Sequence, residues 1–521
     1  MKSFLTDWGL TLAIFIPLIG MVLVLLVPKQ DEYSQKVVAL GTAIVTFAVT
    51  IGIAAYYDYG DKASTITKGV RSSGLQFEVT KQWIPSIDSF YHVGVDGMSL
   101  PLLLLSAFIT ILVIIYSWDH WPEPHNPKAL LALILLLEVG MNGTFVAQDL
   151  ILFFIFFEIV LLPMFFMIGV WGGPNREYAS IKFFLFTLFG SALMLVSFIA
   201  LYFLSDVHTF DMVALTRAGI AGNGIAHATQ VLIFGGMFLG FAIKVPMFPF
   251  HTWLPDAHTE APTVGSVLLA AILLKLGTYG FIRIAIPMLP YGAQKWAPWI
   301  GLLAVIGIIY GAFCCLAQTD MKRLIAFSSV SHMGFVMLAI ATLTPFGINA
   351  AIFGMVAHGL ITGLLFFVAG SVGERYGTRT IARLGGLLAQ APHLGWILGF
   401  TAMASLGLPG LAGFWGEFPA ILSAYQPAPE LSEAVFRTFM VIAAIGTVLA
   451  AGYLLWMYQR VAMGTPKEEF KGAHIHDVHV SEWIAWAPMM FFIVVLGLYP
   501  NLLFKITDAT VNPLYTKLFG A

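Results

Sequence analysis

The stretch GFAIKVPMFPFHTW, residues 240–253, sets a lysine in an apolar helical pattern and then interrupts the helix beside it. The apolar run VLIFGGMFLGFAI leads into Lys244, and Pro246 and Pro249 follow closely. A charged residue at the centre of a membrane helix costs about 2.5–3.5 kcal/mol on insertion scales. The break also frees backbone groups that only a protein-lined, hydrated cavity can satisfy. The stretch therefore predicts a hydrated site inside a helical membrane protein.

The composition extends this prediction to the whole chain. Of its 521 residues, 59% are hydrophobic and only 10% are charged, whereas soluble domains carry about 25% charged residues. Apolar runs of bilayer-spanning length recur throughout, which predicts an all-α polytopic membrane protein. The net charge of −2 argues against a nucleic-acid partner. We find no P-loop, no strand-linked G-x-G-x-x-G and no cysteine pattern for a metal or redox cofactor.

About 14 membrane spans are predicted from the apolar runs. They lie near residues 8–28, 36–57, 98–117, 128–147, 150–170, 180–204, 226–250, 263–286, 296–317, 323–343, 348–372, 394–425, 435–460 and 482–504. The first run is interpreted as a span and not as a signal peptide, because it is too long and lacks an A-x-A-like end. In the longest loop, 58–97, the alternation of LQFEVTK predicts a strand on one membrane face.

The distribution of lysine and arginine between the loops predicts the orientation. The loops that follow the odd-numbered spans hold more lysine and arginine than the loops on the opposite face, which include the long 58–97 loop. By the positive-inside rule the face with the loop between spans 11 and 12 is cytoplasmic, and both termini lie on the outer face. The chain is thus predicted to be a multi-pass protein of the cytoplasmic membrane of a bacterium.

Five ionisable residues other than histidine fall deep inside the predicted spans. They are Glu138, Glu158, Lys244, Lys275 and Glu417. Facing lipid, they would together cost about 12–18 kcal/mol, so they are predicted to face the bundle interior. The two lysines are the only basic residues that we place deep in a span.

Two further patterns predict how these charges are positioned. Glu138, Asn142 and Asp149 have helical spacing, which predicts a shared face of the fourth span. A small-residue patch ahead of Lys244 predicts close approach of another helix. The patch consists of Gly235, Gly236 and Gly240.

Helix-breaking residues recur five spans apart, in the seventh and twelfth spans. Pro246 and Pro249 interrupt the former, whereas Pro409 and Gly410 interrupt the latter. Paired broken helices in corresponding halves indicate a transport site near the membrane midplane. The predicted division of the chain is therefore residues 1–127 with spans 1–3, one five-span repeat at 128–286, a second at 296–460, and a C-terminal part at 461–521.

Two histidines complete a predicted relay. His332 in SSVSHMGF and His358 in MVAHGLITG supply groups that titrate near neutral pH, so a Lys–water–Lys–His–Glu chain can carry a proton along the membrane plane. The alternatives remain packed ion pairs, core histidines bonded to Ser or Thr, or a haem ligand pair. HTWLPDAHTEAP (251–262) and HIHDVH (474–479) are interpreted as helix starts with loop caps and as a solvated cluster, because neither has the ligand spacing of a metal site.

Four segments resemble the antiporter-like subunits of the proton-pumping NADH–quinone oxidoreductase, respiratory complex I. They are GVDGMSLPLLLL (94–105), FPFHTWLPDAHTEAPTVGSVLLAAILLKLGTYG (248–280), MKRLIAFSSVSHMGF (321–335) and LPGLAGFWGEF (408–418). Within that family the chain looks like the chain M, mitochondrial subunit-4 type. Chains L and N carry a lysine in the broken twelfth span, where this sequence has Glu417.

The resemblance implies 14 spans with two inverted five-helix repeats and broken helices 7 and 12. It also assigns residues. Glu158 and Lys244 match the family's Glu–Lys pair, Lys275 its connecting lysine, Glu417 its exit acid, His332 and His358 its axial histidines, and Glu138 an acid of lesser effect. The implied enzyme role is a subunit of a proton-translocating NADH:quinone reductase with no redox site on this chain. NAD, FMN, iron–sulfur clusters and quinone belong to partner subunits, and the implied neighbours are chains of the L and N types and lipid.

Three other functions stay open from the sequence. The chain is alternatively a subunit of an Mrp-type cation/proton antiporter, a subunit of a membrane-bound hydrogenase, or a structural scaffold with no conducting path. These membrane proteins share folds. An Mrp-type chain is expected to carry lysine where this sequence has Glu417, which favours the chain M type.

Overall fold

The computed structural model describes residues 2–59 and 74–520. The first helices are α1 (Lys2–Leu26), α2 (Glu32–Tyr56), α3 (Leu100–Tyr116), α4 (Pro127–Val146), α5 (Leu150–Ile159), α6 (Leu161–Trp171), α7 (Arg176–Leu204) and α8 (Met212–Ala221). Those that follow are α9 (His227–Lys244), α10 (Trp253–Glu260), α11 (Thr263–Leu268), α12 (Leu274–Gly280), α13 (Ile286–Met288), α14 (Pro290–Leu316), α15 (Met321–Ala341) and α16 (Pro345–Tyr376). The last are α17 (Leu387–Gln390), α18 (Pro392–Ser405), α19 (Ala412–Ser423), α20 (Glu433–Ala462), α21 (Val480–Leu498) and α22 (Asn501–Phe519).

The number of spans agrees with the sequence prediction. In the described part of the chain, 12 helices are long and apolar enough to cross a membrane, with α5–α6 and α11–α13 each counted as one. The shorter α3 and the interrupted pair α18–α19 add two more crossings. The helices at the centre, α11–α13, α15 and α16, are buried along their whole apolar length, whereas α1, α2 and α20 leave most of theirs exposed. The charged residues therefore have an interior away from lipid.

The predicted strand is one arm of a hairpin. Strands β1 (Gln76–Ile84) and β2 (Ser89–Val95) pair antiparallel, with Val79 opposite Val93. The hairpin packs against α1 and the junction of α4 and α5. We call this side, with residues 205–226, 424–432 and α22, the hairpin face. The opposite side, with residues 117–126, 377–391 and 463–479, is called the basic face. The loops thus segregate between two faces as the span count requires.

One predicted helical face is wrong. Glu138 and Asn142 lie on α4, but that helix ends at Val146, and Asp149 lies beyond it as the N-cap of α5. Its carboxylate accepts hydrogen bonds from the backbone N–H groups of Ile151, Leu152 and Phe90. An aspartate at the end of an apolar run satisfies free helix N–H groups, and here it also fastens the hairpin.

His92 fastens the hairpin to the segment before α8. Its Nδ1 lies 2.6 Å from Asp211 Oδ2 and its Nε2 lies 3.0 Å from Glu78 Oε1. Burial by itself would lower the pKa of His92, but the hydrogen bonds to Asp211 and Glu78 outweigh it and raise the pKa to about 9. His92 is therefore a cation at neutral pH, held between two carboxylates.

Both helix interruptions occur where the sequence predicts them. The first lies between Lys244 and Trp253, whose indole N–H donates to the Ile243 carbonyl at 2.9 Å and so satisfies a group that the break frees. The second lies between Ser405 and α19, and Gly407 and Gly410 have φ angles of 80° and 96° there. Only glycine adopts such angles without strain.

The span that carries Lys275 is unusual in containing two π-helical segments, Leu269–Leu273 and Phe281–Ala285. Lys275 lies on α12 between them. A π-segment shifts the backbone hydrogen-bond pattern and leaves a carbonyl open to another donor, and such segments are frequent at functional sites. No residue pattern in this span indicates the irregularity.

Candidate functional site

The site begins at Lys244 and Glu158, on α9 and α5. Lys244 is 3% exposed, and its Nζ lies 4.7 Å from the centroid of the Phe157 ring, a cation–π contact. Glu158 is half-buried, with Ser191 beside its carboxylate, and the two charges act on each other. They form no direct ion pair within 4.0 Å. The structure thus holds this pair in a separated arrangement.

Glycines let neighbouring helices approach Lys244 closely, as the sequence predicts. A Cβ added at Gly240 would lie 2.8 Å from the Gly190 carbonyl on α7. One added at Gly277, on α12, would lie 3.0 Å from Lys244 Cβ and 2.8 Å from the Phe241 carbonyl. Gly277 lies two residues after Lys275, so this contact brings the spans of the two lysines together.

We expect Gly277→Ala to destabilise the protein by about 1–3 kcal/mol, because the added methyl group overlaps backbone that cannot move aside. The measurement is the thermal unfolding midpoint of the chain in its native membrane assembly, together with its proton-pumping rate. Gly452→Ala is the matched control, because a Cβ there meets nothing within 4 Å. Equal midpoints for the two variants would show that α9 and α12 are not tightly packed at this glycine.

Lys275 lies at the centre of the molecule and is fully buried. Its Nζ donates to the Ala270 carbonyl at 2.5 Å, within the first π-segment, and lies 2.7 Å from His358 Nδ1. An ammonium group can only donate, so His358 accepts through Nδ1 and carries its own proton on Nε2 when Lys275 is charged. Nε2 is buried and has no protein partner.

A cavity of about 30 Å³ continues from that nitrogen. The polar side chains in its lining are those of His332, His358, Thr362, Ser405 and Glu417. The two imidazole rings face it with their centroids 6.1 Å apart. His358 Nε2 and Glu417 Oε2 are buried without protein partners. Buried polar atoms of this kind are normally satisfied by ordered water, so the cavity suits a short water chain.

The cavity ends at a tightly bonded His–Glu pair. His332 Nδ1 lies 2.6 Å from Glu417 Oε1. Its other nitrogen lies 3.2 Å from Ser405 Oγ and 3.1 Å from the Tyr453 hydroxyl. Glu417 lies on α19, close after the second helix interruption. Six sequence-predicted residues thus follow one another through the buried centre: Glu158, Lys244, Lys275, His358, His332 and Glu417.

Residues 147–458 match the family described as NADH:quinone oxidoreductase/Mrp antiporter, transmembrane. The chain belongs to this family. The NADH-quinone oxidoreductase subunit M of Rickettsia bellii is 39% identical over 517 residues, which are 98% of this chain and 99% of that protein. These matches confirm the resemblance to chain M-type subunits and the all-helical membrane fold.

Solved structures agree. A chain of respiratory complex I from Thermus thermophilus is 28% identical, with a TM-score of 0.83 over 98% of this chain and 99% of that chain. A chain of the Mrp complex from Dietzia sp. DQ12-45-1b has a TM-score of 0.80 at 18% identity, over 97% of both chains. At that identity the second likeness shows a shared fold only.

Glu138 stands apart from the residues in this antiporter-like subunit's central series. It is fully buried on α4, with Asn142 nearby, and both carboxylate oxygens lack a hydrogen-bond partner. No contact joins it directly to Glu158 or Lys244 in the structure. A buried carboxyl group without partners is unfavourable unless it is protonated or hydrated.

Two further buried basic residues lie near the ends of spans and were not predicted. Arg283, on the second π-segment, pairs with Asp96 of the GVDG motif at 2.5 Å and donates to the Tyr279 hydroxyl. Lys322, at the start of α15, is 2% exposed and donates to the Ala261 carbonyl. Arg283 falls inside the predicted span 263–286. Because it lies near the end of that span and its partner Asp96 is distant in the chain, the sequence does not show that it is buried.

The segment HTWLPDAHTEAP is organised by ion pairs. Asp256 bridges two helices, with Oδ2 2.7 Å from Lys182 Nζ and Oδ1 3.4 Å from Arg323. Among residues 2–59 and 74–520, no group of three or more His, Cys, Asp or Glu side chains is arranged to hold a metal ion. The segment includes α10, in keeping with the interpretation as a helix start.

Proposed function

We propose that this chain translocates protons as a membrane-arm subunit of NADH:quinone oxidoreductase, through Glu158, Lys244, Lys275, His358, His332 and Glu417. The observation that supports this best is the contact series Lys275–His358–cavity–His332–Glu417 in the buried centre. Titratable groups inside a membrane protein are unfavourable unless they serve a proton or ion path. Every member of the series is within reach of the next directly or across a short water chain.

The proton transfers can be followed atom by atom. Lys275 gives a proton from Nζ to His358 Nδ1, and His358 releases its Nε2 proton to water in the cavity. His332 takes a proton at Nε2 by way of the Ser405 hydroxyl and gives the one on Nδ1 to Glu417 Oε1. The carboxyl group of Glu417 then rotates and releases this proton toward the hairpin face. Each imidazole accepts on one nitrogen and donates from the other, so no net charge accumulates on it.

Glu158 and Lys244 act as the switch for these steps. When they approach one another, the carboxylate stabilises the ammonium on Lys244. When they separate, as in this structure, Lys244 loses that stabilisation and favours passing its proton toward Lys275. Quinone reduction elsewhere in the complex drives the alternation. We assign Glu138 a subsidiary role as a buried acid that takes up charge beside this pair.

The proposal extends to the repeats, the membrane orientation and the partner subunits. Residues 128–286 and 296–460 form two inverted five-helix repeats, supported by the two interruptions five spans apart. The basic face is cytoplasmic and both termini lie outside, in the cell membrane of a bacterium. The partners are complex I subunits of the chain L and N types, with lipid on the exposed apolar surface. NAD, FMN, iron–sulfur clusters and quinone reside in other subunits.

One alternative has a specific observation behind it. The fold is shared with a chain of an Mrp complex, so a cation/proton antiporter with the same buried residues remains the second candidate. The drive in that case is an ion gradient and not a redox reaction. A hydrogenase subunit or a scaffold has no separate observation in its favour.

Affinity purification distinguishes the two candidates. We expect the tagged chain, solubilised from native membranes in mild detergent, to copurify with NADH-dependent quinone reductase activity. A tagged unrelated polytopic protein at matched abundance is the control. Recovery of the chain with antiporter-type chains and without that activity would overturn the assignment to NADH:quinone oxidoreductase.

A further inference from the structure

A second cluster of titratable side chains lies at the basic face, outside the central series. His120, in the loop after α3, has a carboxylate at each ring nitrogen: Nδ1 is 2.6 Å from Glu374 Oε2, and Nε2 is 3.6 Å from Glu482 Oε1. The His120 side chain is only 10% exposed, and its Nε2 is buried without a hydrogen bond. His120 is thus enclosed between two acidic side chains.

The two carboxylates differ in their pairing with cations and in their exposure to solvent. Glu482 is held by both terminal nitrogens of Arg375, at 2.6 and 2.9 Å, and by the Ser371 hydroxyl at 2.6 Å. Its charge is therefore neutralised. Glu374 has no such cation, and its side chain is 45% exposed. Of the two carboxylates, Glu374 is therefore the one that is open to water.

A string of imidazoles leads from solvent to this cluster. His479 lies 6.4 Å from His120 between ring centroids, His476 lies 6.2 Å from His479, and His474 lies 4.7 Å from His476. All three loop histidines are exposed. The two longer spacings are close to the 6.1 Å between His332 and His358. The segment HIHDVH is solvated, as predicted, and its rings lie near one another.

Buried groups continue from the cluster toward Lys275. Tyr116 stacks on His120 at 4.3 Å, and its hydroxyl lies 3.4 Å from Glu374 and 3.2 Å from Ser371. Glu374 also acts electrostatically on the buried Lys322.

His258 is a further buried histidine outside the central series. It is stacked on Phe366, and both its ring nitrogens lack a protein partner. Lys322 and Lys275 both act on it electrostatically. Buried unpartnered nitrogens of this kind are normally satisfied by water, so His258 fits a hydrated position.

We propose that His120 and Glu374, with the loop histidines His474, His476 and His479, form a proton-collecting surface for the central series. This inference rests on the proposed function, since it names the place where the protons are taken up. Protons are scarce at neutral pH, and an array of bases around an opening raises the capture rate of a charged reactant by about 10–10³-fold. Each step moves one proton from water to a base and on to the next, with no other reactant.

The test uses inverted membrane vesicles, in which the basic face is exposed to the medium, with the intact complex. We expect the double variant His120→Gln/Glu374→Gln to pump about tenfold more slowly than the unaltered protein in weakly buffered medium at about pH 8.5. Added imidazole should restore the rate, because a mobile base replaces the fixed one. The variant His474→Gln/His476→Gln alters only exposed side chains, and we expect a smaller loss with the same rescue. His393→Gln is the control, because His393 pairs with Asp477 on the same face but lies off the string.

Three results would overturn the inference. These are unchanged pumping in weak buffer for both double variants, a loss that imidazole does not relieve, or an equal loss in His393→Gln. Glu158→Gln in the same vesicles separates this inference from the proposed function. If Glu158→Gln abolishes pumping while the surface variants pump normally, the relay stands and only the collecting surface fails; if Glu158→Gln pumps normally, the proposed function itself fails.

Discussion

Lys244→Met is expected to lower proton pumping by about a hundredfold, the scale of losing one positioned proton-transfer group. Lys244 lies between Glu158 and the span of Lys275, and methionine fills its space against Phe157 without a titrating nitrogen. Because pumping and redox chemistry are coupled, quinone reduction should slow as well. Lys244→Arg should also perform poorly, because arginine scarcely deprotonates. The measurement is dye-reported acidification of inverted vesicles on addition of NADH.

Lys295→Met is the matched control for this prediction. Lys295 also lies over an aromatic ring, 5.2 Å from the centroid of Tyr291, but it is exposed. We expect it to pump at the unaltered rate. Normal acidification by Lys244→Met, with the assembled complex present at normal abundance on a native gel, would exclude a proton path through Lys244.

Glu417→Gln is expected to reduce pumping by about tenfold to a hundredfold. In the unaltered protein His332 Nδ1 lies 2.6 Å from the Glu417 carboxylate. Glutamine retains a hydrogen bond with His332, but it cannot take up a proton and pass it on. Glu417→Asp keeps the acid on a shorter side chain, so the bond lengthens and the loss should be milder. The rates are measured in the same vesicle assay, over a range of pH.

The control here is Glu433→Gln, which removes an exposed carboxylate that pairs with Arg437 on the surface of α20. Surface pairs of this kind contribute about 0–1 kcal/mol, so no change is expected. The decisive comparison is between the two substitutions at one position. If Glu417→Gln pumped as well as Glu417→Asp, hydrogen bonding alone would suffice there and the role of exit acid would be excluded.

Much of this fold could be predicted from the sequence, because the bilayer constrains the length and the polarity of each span. The spans follow from runs of apolar residues, the interruptions from Pro246 and Gly410, and the inward-facing charges from the cost of placing them in lipid. The strand in the long loop follows from its alternation. The close approach of α7 to α9 follows from Gly240. These are local or one-dimensional signals.

Other features could not be predicted from the sequence because their cause is not local. Asp149 had helical spacing with Glu138 but caps a different helix, since spacing does not show where a helix ends. The π-segments around Lys275 and the helix α22, which packs on α16 and donates from Tyr515 to the Ile282 carbonyl, leave no distinct pattern. Arg283 was concealed because its partner Asp96 is far away in the chain.

The residues alone establish that the chain spans a membrane many times, that two spans are interrupted, and which ionisable residues lie inside. The hydrophobic effect and the cost of unpaired charge act on each span separately, so composition and spacing suffice. The packing of the helices is what shows that Lys275 contacts His358, that His332 bonds Glu417, and that the loop histidines lie near His120 beside Glu374. Those contacts join residues from different helices, and their geometry depends on how the helices pack, which no single segment encodes.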